Sequence, residues 1–323
     1  KPNVLISTSI NNMKIIFMGT PDFATGVLRA ILQSSHRVVG VITAPDKPSG
    51  RGRKLNASSV KTFAISQGLP VLQPKNLKDT DFLEELKALG ADIQVVVAFR
   101  MLPKQVWQMP KMGTFNLHAS LLPDYRGAAP INWAIINGET KSGVTTFFID
   151  DKIDTGAVID QTIMDIAPDE NLGELHDRMM TAGAALVTKT LDDIENQSYT
   201  LKEQDTDNPK MAPKLNPENC KIDWNQSGAK IFNLIRGLNP YPAAWTSIQS
   251  GDSEIKAKIY RVSFQALSHQ KAIGTLEQTK KELFVYCPDG KIKIETIKIA
   301  GKKIMDAQSL LNGFNFEANS FCS

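Results

Sequence analysis

The sequence predicts an α/β N-terminal domain with a mostly parallel sheet, followed by a small C-terminal β-barrel domain. Three observations carry that expectation. Short apolar runs alternate with helix-like stretches as far as Ile194, the pattern of strand–helix units. One run, Ile93–Phe99 (IQVVVAF), is apolar almost throughout, as a parallel strand covered on both faces is. Beyond Pro213 the helical pattern gives way to short β-like runs, the last of which, Ile292–Ile299, reads IKIETIKI in alternation.

The elements follow in order. Lys14–Met18 (KIIFM) reads as the first strand, stopped by Gly19-Thr20-Pro21, with a helix from about Asp22. Val38–Thr43 is the next strand, closed by Ala44-Pro45-Asp46, and Val71-Leu72 is a third. Asp81–Leu89 is helical, with Phe82, Leu83, Leu86 and Leu89 on one side, and Ile93–Phe99 is the fourth strand. Ligands bind beyond the carboxyl ends of such strands, which directs attention to the segments after Met18, Thr43 and Phe99. Val144–Ile149 (VTTFFI) adds a strand and Asp169–Ile194 a long helix. The polar stretch Asn196–Pro213 is the linker candidate. Ala229–Leu238 reads as a short helix, and Ala244–Ile248, Lys256–Val262, Leu283–Tyr286 and Ile292–Ile299 as strands, which suit a small OB-like barrel. The expected boundaries are an N-terminal extension over 1–12, the α/β domain over 13–198, a linker over 199–213 and the barrel over 214–323.

Charge follows the same division. Residues 1–207 carry 21 Lys and Arg against 24 Asp and Glu, whereas 208–323 carry 16 against 10, so the last third is basic and suits an anionic partner. Cys220, Cys287 and Cys322 offer neither a disulfide framework nor a zinc spacing. With four histidines and no paired Cys/His ligands, no metal is expected. No apolar run approaches the roughly 20 residues of a membrane span. The opening KPNVLISTSINN lacks the apolar core and cleavage site of a secretory signal, so a reducing cytoplasm is expected.

Chemistry concentrates in Gly113–Trp133 (GTFNLHASLLPDYRGAAPINW). Asn116 and His118 are two apart, so on an extended segment both side chains share a face. An amide and an imidazole aimed at one point can hydrogen-bond a carbonyl oxygen as it becomes an oxyanion. Taken alone, a loop histidine is more often satisfied by backbone. Downstream, Asp150-Asp151-Lys152-Ile153-Asp154-Thr155-Gly156 follows the VTTFFI strand. It reads either as a solvated turn or weak cation site, or as a sharp turn that aims Asp154 at the histidine. Asn, His and Asp without a nucleophilic Ser or Cys suit direct attack by an external nucleophile on a bound acyl group. A second candidate is the loop holding Lys47, Arg51, Arg53 and Lys54 with two glycines; alone it is equally a solvated cationic loop, and its G-R-G is no dinucleotide fingerprint.

HASLLPDYRG (His118–Gly127), with Asn116 upstream and Ile153-Asp154-Thr155-Gly156 downstream, resembles the active-site signature of the 10-formyltetrahydrofolate-dependent formyltransferases. FMGTPDFA (Phe17–Ala24), APDKPSGRGRKL (Ala44–Leu55), LPVLQP (Leu69–Pro74) and RGAAPINWAI (Arg126–Ile135) are similar to the tRNA-directed members of that family. So are KIDW (Lys221–Trp224), NPYPAAW (Asn239–Trp245) and AGKKIMDAQSLL (Ala300–Leu311). The similarity runs in order from about Met13 to Gly313.

The resemblance implies a Rossmann-like formyltransferase fold and transfer of a formyl group from 10-formyltetrahydrofolate, as cosubstrate, to the α-amine of initiator methionyl-tRNA. It implies no metal, no permanently bound cofactor, no membrane and a monomer. Asn116 and His118 would hold the oxyanion, and Asp154 would pair with His118. Ser120, Leu121, Leu122 and Pro123 would lie against the folate, with Phe99 lining the pterin pocket. Lys47, Arg51, Arg53 and Lys54 would reach the tRNA acceptor end while the barrel holds its outer part. Phe99-Arg100-Met101 departs from the pattern, where a small or aromatic residue and a Gly are expected, and Arg100 would make the pterin wall more basic or bulkier. Sugar-nucleotide N-formyl transfer and formyltetrahydrofolate hydrolysis keep the chemistry and change the acceptor; a cationic loop and a basic barrel favour a polyanion instead.

Overall fold

The computed structural model describes residues 12–49, 54–205 and 207–323. Contacts divide the chain into two interleaved units. One runs to Asp124 and adds Gly143–Ile163 and Asp177–Pro209; the other comprises Tyr125–Ser142, Met164–His176 and Lys210–Ser323.

The first unit is built on a seven-stranded sheet in the order Val158–Asp165, Lys141–Phe148, Thr114–His118, Ile93–Val97, Lys14–Gly19, Arg37–Ile42, Val71–Leu72. The pairs from Thr114–His118 through Val71–Leu72 are parallel, and Lys141–Phe148 runs antiparallel to Thr114–His118. All five residues of Ile93–Val97 are buried, as the apolar run anticipates for a strand covered on both faces. The strand stops two residues short of the expected Phe99 because Ala98 turns into left-handed backbone, φ 46°. The edge strand Val158–Asp165 has no counterpart in the sequence reading; its apolar pattern is broken by four polar residues in eight.

Helix Asp22–Leu32 buries Phe23, Ala24, Val27, Leu28 and Ile31, one stripe at helical spacing. Ser59–Ser66 starts at Ser58, whose hydroxyl accepts from Lys61 N, and Thr80–Ala88 starts at Asp79, whose carboxylate accepts from Phe82 N. The long helix begins at Leu172, three residues later than expected. Asn171 and Glu174 explain the start by capping one another: Glu174 N donates to Asn171 Oδ1 at 3.1 Å and Asn171 N to Glu174 Oε2 at 2.9 Å. Farther along, a Cβ on Gly183 would come within 2.7 Å of Leu117 Cδ2, so the glycine lets this helix lie close on one face of strand Thr114–His118.

The second unit carries an antiparallel sheet in the order Leu276–Gln278, Leu283–Cys287, Gly290–Ile299, Ser253–Ala266, Ala244–Ser250, Phe321–Cys322. A bridge between Thr275 and Phe321 joins the two ends, with Leu276 N donating to Ser320 O and Cys322 N to Gly274 O. The sheet is thereby a nearly closed barrel, which leaves little open edge. Its interior is filled by Ile259, Ile292, Ile294 and Ile297 together with Ile231, Ile235 and Leu238 of helix Gly228–Leu238. The alternation of IKIETIKI is not continuous: Ile292 and Ile294 point inward, then the phase slips at Glu295-Thr296 before Ile297 and Ile299. The slip matches a bulge on the neighbouring strand, where pairing jumps from Ile259 to Arg261. Cys220, Cys287 and Cys322 are buried free thiols.

The segment read as a linker makes specific contacts within each unit. Lys202 bridges Val158 in the first, and Met211–Ala212 pairs in parallel with Arg126–Gly127 in the second. Among the described residues no helix is long and apolar enough to cross a membrane.

Candidate active site

The site is assembled at the carboxyl end of strand Thr114–His118, between Ile93–Val97 and Lys141–Phe148. Leu117 faces the long helix, so Asn116 and His118 share the opposite face, as their spacing predicts. His118 is buried, with 7% of its side chain exposed. The carboxamide oxygen of Asn116 is also buried and meets no donor among the described residues. As an acceptor this oxygen can take a hydrogen bond from a reactant N–H or O–H, whereas any bond from Asn116 to an oxyanion would come from its Nδ2.

Asp154 arrives from the turn after Lys141–Phe148. Its Oδ2 stands 3.9 Å from His118 Nδ1, and 13% of its side chain is exposed. Two features shape the turn. Asp150 accepts from Thr155 Oγ1 at 2.8 Å and from Lys152 N at 2.9 Å. Gly156 lies so close to the strand that a Cβ there would meet Phe148 O at 1.7 Å. Asp154 itself adopts φ 55°, a left-handed conformation that Asp and Asn tolerate better than most residues. Gln204 then clasps the turn from outside, its Nε2 donating to Asp154 O at 3.0 Å and Gly156 O at 2.7 Å. Asp151 points outward to Lys104, 3.3 Å away, with both side chains mostly exposed.

The loop after His118 is held just as firmly. Thr145 Oγ1 donates to Ser120 O at 2.7 Å and accepts from Leu122 N at 3.2 Å, while Gln161 Nε2 reaches both Leu122 O and Thr145 Oγ1. Ser120 is buried and its hydroxyl closes the loop on Asp124 O at 2.6 Å. Leu122 packs inward with Phe147 and Val158. Of the four loop residues, Leu121 and Pro123 are therefore the ones left half-exposed. Phe99 is half-buried against the cluster that includes Val96 and Leu102. The Arg100 guanidinium donates to the carbonyls of Lys75 and Pro74 and sits 5.6 Å from the Phe99 ring, so backbone oxygens already hold the charge expected on the pterin wall.

Of the basic segment, Lys47–Ser49 pairs antiparallel with Lys54–Asn56. Lys47 is exposed. Arg51 and Arg53 lie outside the described residues. The hairpin root is braced: Asp46 accepts from Lys61 Nζ at 2.6 Å and Gln73 Nε2 at 2.8 Å. The Lys61 ammonium, then the Gln73 amide, holds the Asp46 carboxyl below its ordinary value.

His118 and Asp154 thus converge, with Asn116 on the same strand face. Gln204, Thr145 and Gln161 were not legible as site residues. Gln204 lies in the polar stretch whose composition reads only as connection, and the bond it makes links positions 50 apart.

Residues 13–191 match the formyl transferase family and 214–315 match the formyl transferase C-terminal domain. The chain is 56% identical to a methionyl-tRNA formyltransferase of Flavobacterium johnsoniae over 95% of its own length and 98% of that protein's. It is 47% identical to the methionyl-tRNA formyltransferase of Bacteroides thetaiotaomicron, over 94% and 96%. Among solved structures, the sugar 3N-formyl transferase WlaRD, with dTDP and 5-N-formyl-THF, matches at TM-score 0.63 and 22% identity, over 90% of this chain and 99% of that one. HypX from Aquifex aeolicus, in complex with tetrahydrofolic acid, matches at TM-score 0.63 and 16% identity, over 93% of this chain and 47% of that one. These two likenesses establish the fold. By matches to both family domains and by relatives of high identity along nearly its whole length, the chain belongs to the formyl transferase family.

Proposed function

We propose that this protein transfers the formyl group of 10-formyltetrahydrofolate to the α-amine of initiator methionyl-tRNA, giving formylmethionyl-tRNA for translation initiation. The observation that carries the reading is the 56% identity, through both units, to a relative named for that reaction. The sugar formyltransferase likeness is one of fold, at 22% identity.

The neutral amine attacks the formyl carbon, and the carbonyl oxygen takes up charge as the tetrahedral adduct forms. Asn116 and His118, side by side on one strand face, supply hydrogen bonds to that oxygen; one such donor is typically worth roughly 3–4 kcal/mol. Asp154 keeps the imidazole oriented from its Nδ1 side. Collapse breaks the bond between the formyl carbon and N10, and the proton lost by the amine ends on N10, with His118 placed to relay it. The backbone of the Ser120–Pro123 loop, with Leu121 and Pro123 outermost, forms the folate-facing wall, and Phe99 lines the pterin pocket. Lys47, Arg51, Arg53 and Lys54 engage the acceptor end through phosphates, which position the RNA without reading its sequence. The basic barrel holds the outer part of the tRNA.

Incubating the protein with 10-formyltetrahydrofolate and methionyl-tRNA, then identifying formylmethionine after deacylation, tests the proposal. Release of formate alone would mark a hydrolase.

A further inference from the structure

His36 lies at the foot of the parallel sheet, directly before Arg37–Ile42, with its side chain entirely shielded from solvent. Two carboxylates on the last turn of the long helix flank it. Asp192 and Glu195 are three residues apart and so share a helix face. His36 Nε2 stands 3.0 Å from Asp192 Oδ1, and Nδ1 stands 4.0 Å from Glu195 Oε2. One ligand atom from each of the three residues falls within 4.8 Å of the others.

Among the described residues, two buried atoms here meet no hydrogen-bond partner, His36 Nδ1 and Glu195 Oε1. Asp193, the third carboxylate of that turn, accepts instead from Lys189 at 2.8 Å. Among the described residues neither Asp192 nor Glu195 pairs with a Lys or Arg; His36 is the partner of both. When Nε2–H is donated to Asp192, Nδ1 turns a lone pair toward a carboxylate. Two electron-rich groups facing each other out of water are unfavourable unless a positive centre lies between them.

We propose that His36 and Glu195 bind a divalent transition-metal ion, with zinc as the probe. Nδ1 and a Glu195 oxygen are the ligands, and Asp192 orients the imidazole through Nε2. A carboxylate on the far nitrogen is the common outer partner of a metal-bound histidine, because it fixes the tautomer and raises ligand basicity. Tetrahedral zinc bonds of roughly 2.0–2.2 Å separate two ligand atoms by roughly 3.3–3.6 Å, so the 4.0 Å observed would close by a few tenths of an ångström on binding. Asp192 is 58% exposed and Glu195 21%, so water can reach the remaining positions. Imidazole with carboxylate favours zinc, cobalt, nickel or copper over calcium and magnesium. The ion would tie the start of a strand to the end of a helix, at the opposite end of the parallel strands from His118. It therefore takes no part in formyl transfer, and the site stands whether or not the proposed reaction is correct. Sequence spacing could not reveal it, because His36 and Asp192 are 156 positions apart.

The test is calorimetric titration of the full chain with zinc chloride in metal-free buffer, alongside thermal melts with and without zinc. The expected result is saturable binding of one ion per chain and a zinc-dependent rise in Tm. Both should be lost in His36→Gln and in Glu195→Gln, and binding should weaken by roughly 10–100-fold in Asp192→Asn. Glu195→Gln alters a partly exposed last turn, so it remains informative if His36→Gln does not fold. No binding by the wild type, or binding unchanged in Glu195→Gln, would overturn the proposal.

Discussion

Asp154 reaches within 3.9 Å of His118 Nδ1 from a left-handed backbone, φ 55°, in a turn whose two carbonyls are clasped by Gln204. The fold therefore maintains an uncommon conformation at the residue that faces the buried imidazole. Uncommon backbone of this kind persists where the surroundings determine it, and here Gly156, Asp150 and Gln204 do so.

Asparagine tolerates the same backbone region, so Asp154→Asn removes charge while preserving the turn. Turnover is expected to fall by roughly 10²-fold with Tm and folate KM near wild type. Asp151→Asn, which alters an exposed pair with Lys104, is expected to keep nearly full activity. Equal kinetics for the two variants would reduce Asp154 to a turn residue.

His118→Ala and Asn116→Ala should each lower kcat by roughly 10²–10³-fold, the cost of one lost oxyanion donor. Folate binding, measured by equilibrium titration, should be largely retained. Near-normal turnover in either variant would remove that residue from the mechanism.

The left-handed turn also depends on Gly156. Gly156→Ala places a methyl 1.7 Å from Phe148 O, and backbone cannot yield as a flexible side chain can. The variant is expected to lose more than about 4 kcal/mol of stability, read from chemical denaturation. Gly313→Ala, with no atom within 4 Å of the added carbon, is the control and should melt like wild type.

Gln204→Ala should loosen Asp154 without unfolding the unit. A displacement of about 1 Å can cost on the order of 10²-fold in rate, so kcat should fall while Tm moves little. Parallel loss of Tm and activity would instead make Gln204 a structural residue.

Much of this architecture is legible in the sequence, for identifiable reasons. Ile93–Val97 is readable because burial on both faces leaves a run that is apolar but for Gln94. Asn116 and His118 are readable as partners because they belong to one short strand, where spacing alone fixes direction. What escapes depends on long-range contact. Gln204 and His36 are recognised by partners 50 and 156 positions away, and no local pattern marks them. Ser120 and Leu122 sit inside a motif that resembles a folate loop, yet their side chains are turned inward by Asp124 O and by Phe147 with Val158. The phase slip in IKIETIKI is written in the sequence as Glu295-Thr296, but its counterpart, the register break between Ile259 and Val262, is on another strand.

The hairpin at Lys47–Asn56 should matter for tRNA and little for folate. Arg51→Ala, or joint neutralisation of Arg53 and Lys54, should raise the KM for methionyl-tRNA. Each lost phosphate contact should flatten the dependence of log kcat/KM on log salt by about 0.7–0.9. Wild-type kinetics across a salt series would leave the hairpin a solvated surface loop.

The most direct measurement is a comparison of kcat/KM for formyl transfer from 10-formyltetrahydrofolate to methionyl-tRNA and to a dTDP-amino sugar, with formate release followed in parallel. The account predicts efficient formylation of methionyl-tRNA, negligible transfer to the sugar and little formate. Formylation of the sugar without formylation of the tRNA would contradict it.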